Sequence, residues 1–142
     1  MRILFVCLGN ICRSPTAEAV LRQKRPDWEI DSAGMGPWHV GNPPHGPMQL
    51  AARQAGYDMQ ALRARQLQPS DFESFDLIVG MDAENLADIE RMRPSGNATR
   101  ALGLADYVED ADHIPDPYYT GEFDDVLRLI ERSVDALIAA ET

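Results

Sequence analysis

Apolar and polar positions follow two rhythms along this chain. Ile3 to Val6 is a continuous apolar run, β-branched and aromatic in part, and predicts a strand buried on both faces. Gly9 and Asn10 both tolerate positive φ, so Leu8–Arg13 reads as a loop. A helix is expected next, with Ser14 as N-cap and Pro15 in the first helical position. Ala17, Val20 and Leu21 give it an apolar face, and Arg25-Pro26 end it. Trp28–Ser32 alternates like a short strand. Gly34–Pro47 is rich in Gly and Pro and reads as a long loop, a length uncommon without a function. Met48, Ala51, Ala52 and Ala55 predict a second helix stopped by Gly56. Ser70 and Glu73 have capping-box spacing and predict a short helix. Leu77–Val79 reads as a buried strand, Asp82–Met92 as a helix with Leu86 and Ile89 inward, and Arg100–Leu104 as the last strand. Phe123, Val126, Leu127, Ile130, Val134, Leu137 and Ile138 recur at spacings of three and four, the pattern of a long amphipathic helix.

About four strands alternating with helices predict the α/β class. Right-handed crossovers would wind them into a doubly wound, four-stranded parallel sheet with helices on both faces, a single domain over residues 1–142. Ligands in such sheets bind beyond the carboxyl ends of the strands. Cys7 stands where the first strand ends.

Charge narrows the partners. With 13 basic and 23 acidic residues the chain carries a formal charge of −10. An acidic surface repels phosphate backbones and anionic lipid, so neither nucleic acid nor a membrane is expected as a partner. No apolar run approaches the ~18–20 residues of a membrane span. Met1–Val6 lacks the length and cleavage site of a signal peptide, so a cytoplasmic location is expected. Two cysteines, Cys7 and Cys12, are too few for a disulfide framework, and in a reducing compartment they are free for chemistry.

The loop Cys7-Leu8-Gly9-Asn10-Ile11-Cys12-Arg13-Ser14 joins a strand end to a helix start. Helix N-termini offer unpaired N–H groups and a positive dipole end, and a tight loop there can aim several N–H groups at one anion. Arg13 adds a planar fork suited to two phosphate oxygens. A cysteine at the base of that positive potential is expected to ionise readily and act as a nucleophile. A lone Cys would more simply be a buried structural residue before a capped helix; the Gly, Asn, Arg and Ser-Pro around it favour the chemical reading.

Phe5-Val6-Cys7-Leu8-Gly9-Asn10-Ile11-Cys12-Arg13-Ser14-Pro15-Thr16-Ala17-Glu18-Ala19 resembles the active-site signature of the low-molecular-weight protein-tyrosine phosphatases. The resemblance continues in chain order at Asp31-Ser32-Ala33, Val40-Gly41-Asn42-Pro43-Pro44, Ala64-Arg65-Gln66-Leu67, Met81-Asp82 and Asp116-Pro117-Tyr118-Tyr119. It implies a flavodoxin-like fold and hydrolysis of phosphotyrosine through a phosphocysteine intermediate. Cys7 would be the nucleophile. Arg13 and the amides of Leu8, Gly9, Asn10, Ile11 and Cys12 would bind phosphate. Ser14 would donate to the sulfur, and Asp116 would be general acid and then base. Trp38, Tyr118 and Tyr119 would wall the pocket, and Ser32 would brace Asn10. A family histidine in that brace is matched here by Leu62, which puts the brace in question. The resemblance implies a phosphotyrosine-containing protein as substrate, a tyrosine kinase among the candidates, and a monomer or weak oligomer.

Around Asp116, seven acidic residues (Asp106, Glu109, Asp110, Asp112, Glu122, Asp124 and Asp125) occur with no Lys or Arg from Ala101 to Leu127. If they gather in space they raise the Asp116 pKa; otherwise they form a solvated face. Cys12 is five residues from Cys7, near enough to capture an oxidised Cys7 as a disulfide or simply to fill space. His39, His45 and His113 lack metal-ligand spacing, so no metal and no cofactor are expected. Three alternatives compete. Protein-arginine phosphatases in this family carry Thr where this chain has Ile11, whose bulk suits an aromatic ring. Thiol-dependent arsenate reductases need downstream cysteines, absent after Cys12. A non-catalytic phosphotyrosine-binding module has no need of Cys7, Arg13 and Asp116 together.

Overall fold

The computed structural model describes residues 1–142. Four strands, β1 (Arg2–Cys7), β2 (Glu29–Gly34), β3 (Leu77–Gly80) and β4 (Arg100–Gly103), form one parallel sheet in the order β2-β1-β3-β4. Register sets Cys7 opposite Gly34 and Val6 opposite Gly80, so three strands finish level at their carboxyl ends. Side chains of β1 alternate between two cores. Ile3, Phe5 and Cys7 face one; Leu4 and Val6 face the other. This double burial is why β1 reads as an unbroken apolar run.

Helices α1 (Arg13–Lys24), α2 (Gly46–Gln54) and α6 (Phe123–Glu141) contribute to the larger core, and α3 (Asp71–Ser74) and α4 (Ala83–Met92) cover the smaller one with Phe72 and Ile89. The sheet is thus doubly wound, as its alternation predicts. Val126, Leu127, Ile130, Val134 and Leu137 hold α6 in place. Burial worth about 1.5–3 kcal/mol per large apolar side chain far exceeds differences in helix propensity. A 3₁₀ turn (Leu104–Tyr107) and a short helix α5 (Pro117–Thr120) complete the chain. Neither is predicted from the pattern, and Leu104, expected to end the last strand, begins the turn. No helix is long and apolar enough to cross a membrane.

Two predicted caps do not form. Helix α1 starts at Arg13 with Cys12 as N-cap, so Ser14 and Pro15 lie inside its first turn. The Ser14 hydroxyl is instead engaged by Cys7 and Asn10. Ser70 does precede α3, but its backbone is already helical (φ −63°, ψ −20°) and its side chain caps nothing. Asp71 Oδ2 accepts the Gln68 N–H nearby.

Candidate active site

Beyond the carboxyl ends of the strands lies a pocket of about 260 Å³. Cys7, Leu8, Gly9, Ile11, Cys12 and Arg13 line it from the β1–α1 loop. Trp38 and His39 enter from the loop after β2, and Asp116, Tyr118 and Tyr119 from the start of α5. Ten of the expected site residues therefore converge. Asn10, Ser14 and Ser32 do not line the pocket; they are buried behind the loop.

The loop owes its curl to Asn10, the one non-glycine residue with positive φ (57°). Gly9, which also tolerates positive φ, does not adopt it. Its missing side chain matters because a Cβ there would stand 3.0 Å from His39 Cδ2. The Asn10 N–H donates to Cys7 Sγ at 3.3 Å. The main-chain N–H groups of Leu8, Gly9, Ile11, Cys12, Arg13 and Ser14 find no acceptor in the protein. Unpaired N–H groups are costly where buried, about 1–3 kcal/mol each, and a run of them between a strand end and a helix start is the kind of loop that can receive an anion.

Behind the loop, one orientation of the Asn10 amide satisfies every partner. Its Nδ2 donates to Ser14 Oγ (2.8 Å) and Ser32 Oγ (2.9 Å), and its Oδ1 accepts the Arg65 N–H (3.0 Å). Ser14 then has its own proton free for Cys7 Sγ, 3.0 Å away. Ser32 donates to Glu18 Oε1 at 2.6 Å, and Glu18 is paired with Arg22. Burial raises the Glu18 pKa despite these partners. Leu62 instead packs against the larger core, and the brace closes without a histidine.

Arg13 is buried and held on three sides. Its Nη1 donates to Asp82 Oδ2 (2.7 Å) and the Ile114 carbonyl (3.0 Å), and its Nη2 lies 3.4 Å from Asp116 Oδ2. Burial opposes its charge, but Cys7, Asp82 and Asp116 outweigh this and raise its pKa. Burial likewise pushes the Asp82 carboxyl up, yet Arg13 and the Asn85 N–H prevail and hold it below its usual 3.8. The stability this gives is complete above pH 3.8 and is lost as pH falls through the lower folded value. Asp82→Asn is therefore expected to cost about 1–3 kcal/mol at pH 7, with the gap to the parent narrowing in strong acid. Urea melts at pH 7 and pH 2.5 check this; an equal gap at both would be inconsistent with the pair.

Asp116 caps α5, its Oδ1 accepting the Tyr118 N–H at 3.1 Å. Its nearest charge is Arg13 rather than the acidic stretch around it in sequence. Asp110 is paired with Arg132, Asp112 with His113 and Asp125 with Arg128, while Asp106 accepts the Gly103 N–H. Four of the seven acidic residues of this stretch are thus engaged elsewhere. Trp38 is 67% exposed, its ring folded over Gly36, where a Cβ would lie 1.7 Å from Cζ3. Tyr118 and Tyr119 meet edge to face at 5.4 Å. Cys12 is buried and free, and burial with the nearby Cys7 pushes its thiol up to about 12.

His39 in the pocket and Glu18 and Arg65 behind it are absent from the sequence-derived set. His39 belongs to no periodic or motif pattern. Arg65 and Asp82 stand in segments that carry the family resemblance, which marks a place but no role.

Fold and site together are those of a phosphatase, and the chain belongs to the family of low molecular weight phosphotyrosine protein phosphatases, which matches residues 2–141. It is a hydrolase, a low-molecular-weight protein-tyrosine phosphatase. The low molecular weight protein-tyrosine-phosphatase YfkJ of Bacillus subtilis is 46% identical over 97% of this chain and 94% of its own length. The crystal structure of YfkJ superposes with a TM-score of 0.92 at 43% identity, covering 99% of this chain and 93% of that one. The crystal structure of DARP, a Drosophila arginine phosphatase, also reaches 0.92, at 32% identity, covering 100% of this chain and 98% of that one.

Proposed function

We propose that this phosphatase hydrolyses phosphotyrosine in proteins through a phosphocysteine intermediate on Cys7. The observation that carries the reading is the β1–α1 loop, in which Cys7 and Arg13 line one pocket and six main-chain N–H groups have no acceptor in the protein. In the first step the Cys7 sulfur forms a bond to phosphorus as the bond to the phenolic oxygen breaks, and Asp116 gives its proton to that oxygen. The β1–α1 loop holds the three equatorial oxygens where charge accumulates. In the second step Asp116 takes a proton from water. The water oxygen bonds phosphorus, the sulfur departs with a hydrogen bond from Ser14, and orthophosphate leaves. The 3.4 Å contact between Arg13 and Asp116 is long beside the 2.7 Å contact to Asp82, so Arg13 stays anchored while Nη2 turns to phosphate. Cys12, which shares the pocket, is the thiol placed to capture Cys7 as a disulfide after peroxide oxidises it to a sulfenic acid.

Trp38, Tyr118, Tyr119 and Ile11 give the pocket aromatic and aliphatic walls that suit a phosphorylated ring. A tyrosine kinase carrying phosphotyrosine is one candidate partner. Turnover of matched phosphotyrosine, phosphoarginine and phosphoserine peptides, with EDTA present, tests the reading. Phosphotyrosine is expected to be hydrolysed at least about tenfold faster than the others, a margin within reach of pocket-wall contacts. Preferential release of phosphate from phosphoarginine would assign the pocket to arginine phosphatase chemistry, as in the Drosophila relative's name.

A further inference from the structure

Arg65 lies outside the pocket, yet it joins three parts of the molecule. Its Nε donates to Asp31 Oδ2 on β2 at 3.0 Å. Its Nη1 and Nη2 grip both carboxylate oxygens of Asp71, the first residue of α3, at 3.0 and 3.1 Å. Asp71 is buried and also accepts the Gln68 N–H. The Arg65 main chain is fixed too. Its carbonyl accepts the Gly34 N–H, and the Gly34 carbonyl accepts the Leu67 N–H, both at 2.8 Å. The segment from Arg65 to Gln68 is thus clamped between the end of β2 and the start of α3.

What the clamp presents to the site is one donor. The Arg65 N–H meets Asn10 Oδ1 at 3.0 Å. With that oxygen engaged, both Nδ2 hydrogens go to Ser14 and Ser32. The Ser14 oxygen then accepts from Asn10, so its own proton points at Cys7. A flipped amide would set Nδ2 against the Arg65 N–H, donor to donor, and would draw the Ser14 proton away from the sulfur. The main-chain N–H selects the orientation, and the guanidinium holds that N–H in place.

We propose that Arg65 is a positioning residue for the nucleophile, acting through Asn10 and Ser14 on the hydrogen bond that Cys7 receives. The inference rests on the reading of Cys7 as nucleophile. Lysine cannot replace it, because one ammonium cannot span Asp31 and both oxygens of Asp71.

The test follows the pH dependence of inactivation by iodoacetate, read as loss of aryl phosphate turnover, beside kcat and KM. Parent, Arg65→Ala, Arg65→Lys, Asn10→Gly and the Arg65→Ala/Asn10→Gly double variant are compared. Glycine at position 10 keeps the left-handed backbone while removing the amide. Arg65→Ala is expected to lower kcat about tenfold with KM changed less than about threefold, and to move the inactivation midpoint to higher pH. Arg65→Lys should not restore the parent profile. In the Asn10→Gly background the Arg65→Ala shift should vanish. An unshifted profile in Arg65→Ala, or the same shift with and without Asn10, would overturn the proposal. If Arg65→Ala fails to fold, Arg65→Lys against Asn10→Gly carries the same comparison. A Cys7→Ser protein that still turns over substrate would instead remove the nucleophile reading, independently of Arg65.

Discussion

Cys7→Ser is expected to lower aryl phosphate turnover by at least about 10⁴-fold while the protein still binds phosphotyrosine peptide. The hydroxyl that replaces the thiol has a far higher pKa than a thiol and is a much poorer nucleophile at neutral pH. The nearest hydroxyl, Ser14 Oγ at 3.0 Å, is itself held by Asn10. The proposed phosphate ligands, the unpartnered N–H groups and Arg13, are not touched by the substitution. A large loss of kcat with a peptide Kd within about fivefold of the parent separates nucleophile from binder. Kinetics beside calorimetric titration measure both. Parent-like turnover would require another attacking group, and Cys12, the second thiol of the pocket, would be the next to replace.

Arg13→Lys is the second large effect, with an expected loss of about 10³-fold or more in kcat. Arg13 spends Nη1 on Asp82 and the Ile114 carbonyl and so presents Nη2 to the pocket. In the proposed mechanism, anchoring and phosphate binding fall to different nitrogens of one rigid plane. Lysine has one nitrogen for both tasks, and Asp82 with the Ile114 carbonyl would claim it. Charge is conserved, so a field effect alone predicts a small loss, whereas the fork predicts a severe one. Single-turnover rates with a chromogenic aryl phosphate decide between them. Retained charge opposite Asp82 should keep thermal stability near that of the parent, so the lost rate is not lost fold.

How far the sequence reached depended on how local each signal was. β1 shows itself as an apolar run because both faces are buried, and α6 by its spacing of three and four. Helix α5 has four residues, too few for any period, though its N-cap Asp116 was marked by resemblance. Ser14 was read as a cap because Ser-Pro before a helix is a local rule; contacts with Cys7 and Asn10 took its hydroxyl instead. Leu62 suggested a broken brace because one side chain of the pattern was missing. The actual brace draws on Glu18, 14 positions from Ser32, and on a main-chain N–H 55 positions from Asn10. A backbone donor leaves no trace in residue identity. Asp116 stands among acidic residues in sequence but beside Arg13 in space, a neighbour 103 positions away that local composition cannot show.

Ile114 ties the ends of this chain together: its N–H donates to the Met81 carbonyl at 2.8 Å and its carbonyl accepts from Arg13, 101 positions earlier. Until that residue leaves the ribosome, Arg13 lacks one anchor and Asp116 does not yet exist. A nascent chain can lay down β1, β2 and β3 and still be catalytically silent. Contacts so distant in sequence close late and slowly. Competence is thus the last property the polypeptide acquires as it is made, and among the first it forfeits when its final third lifts away.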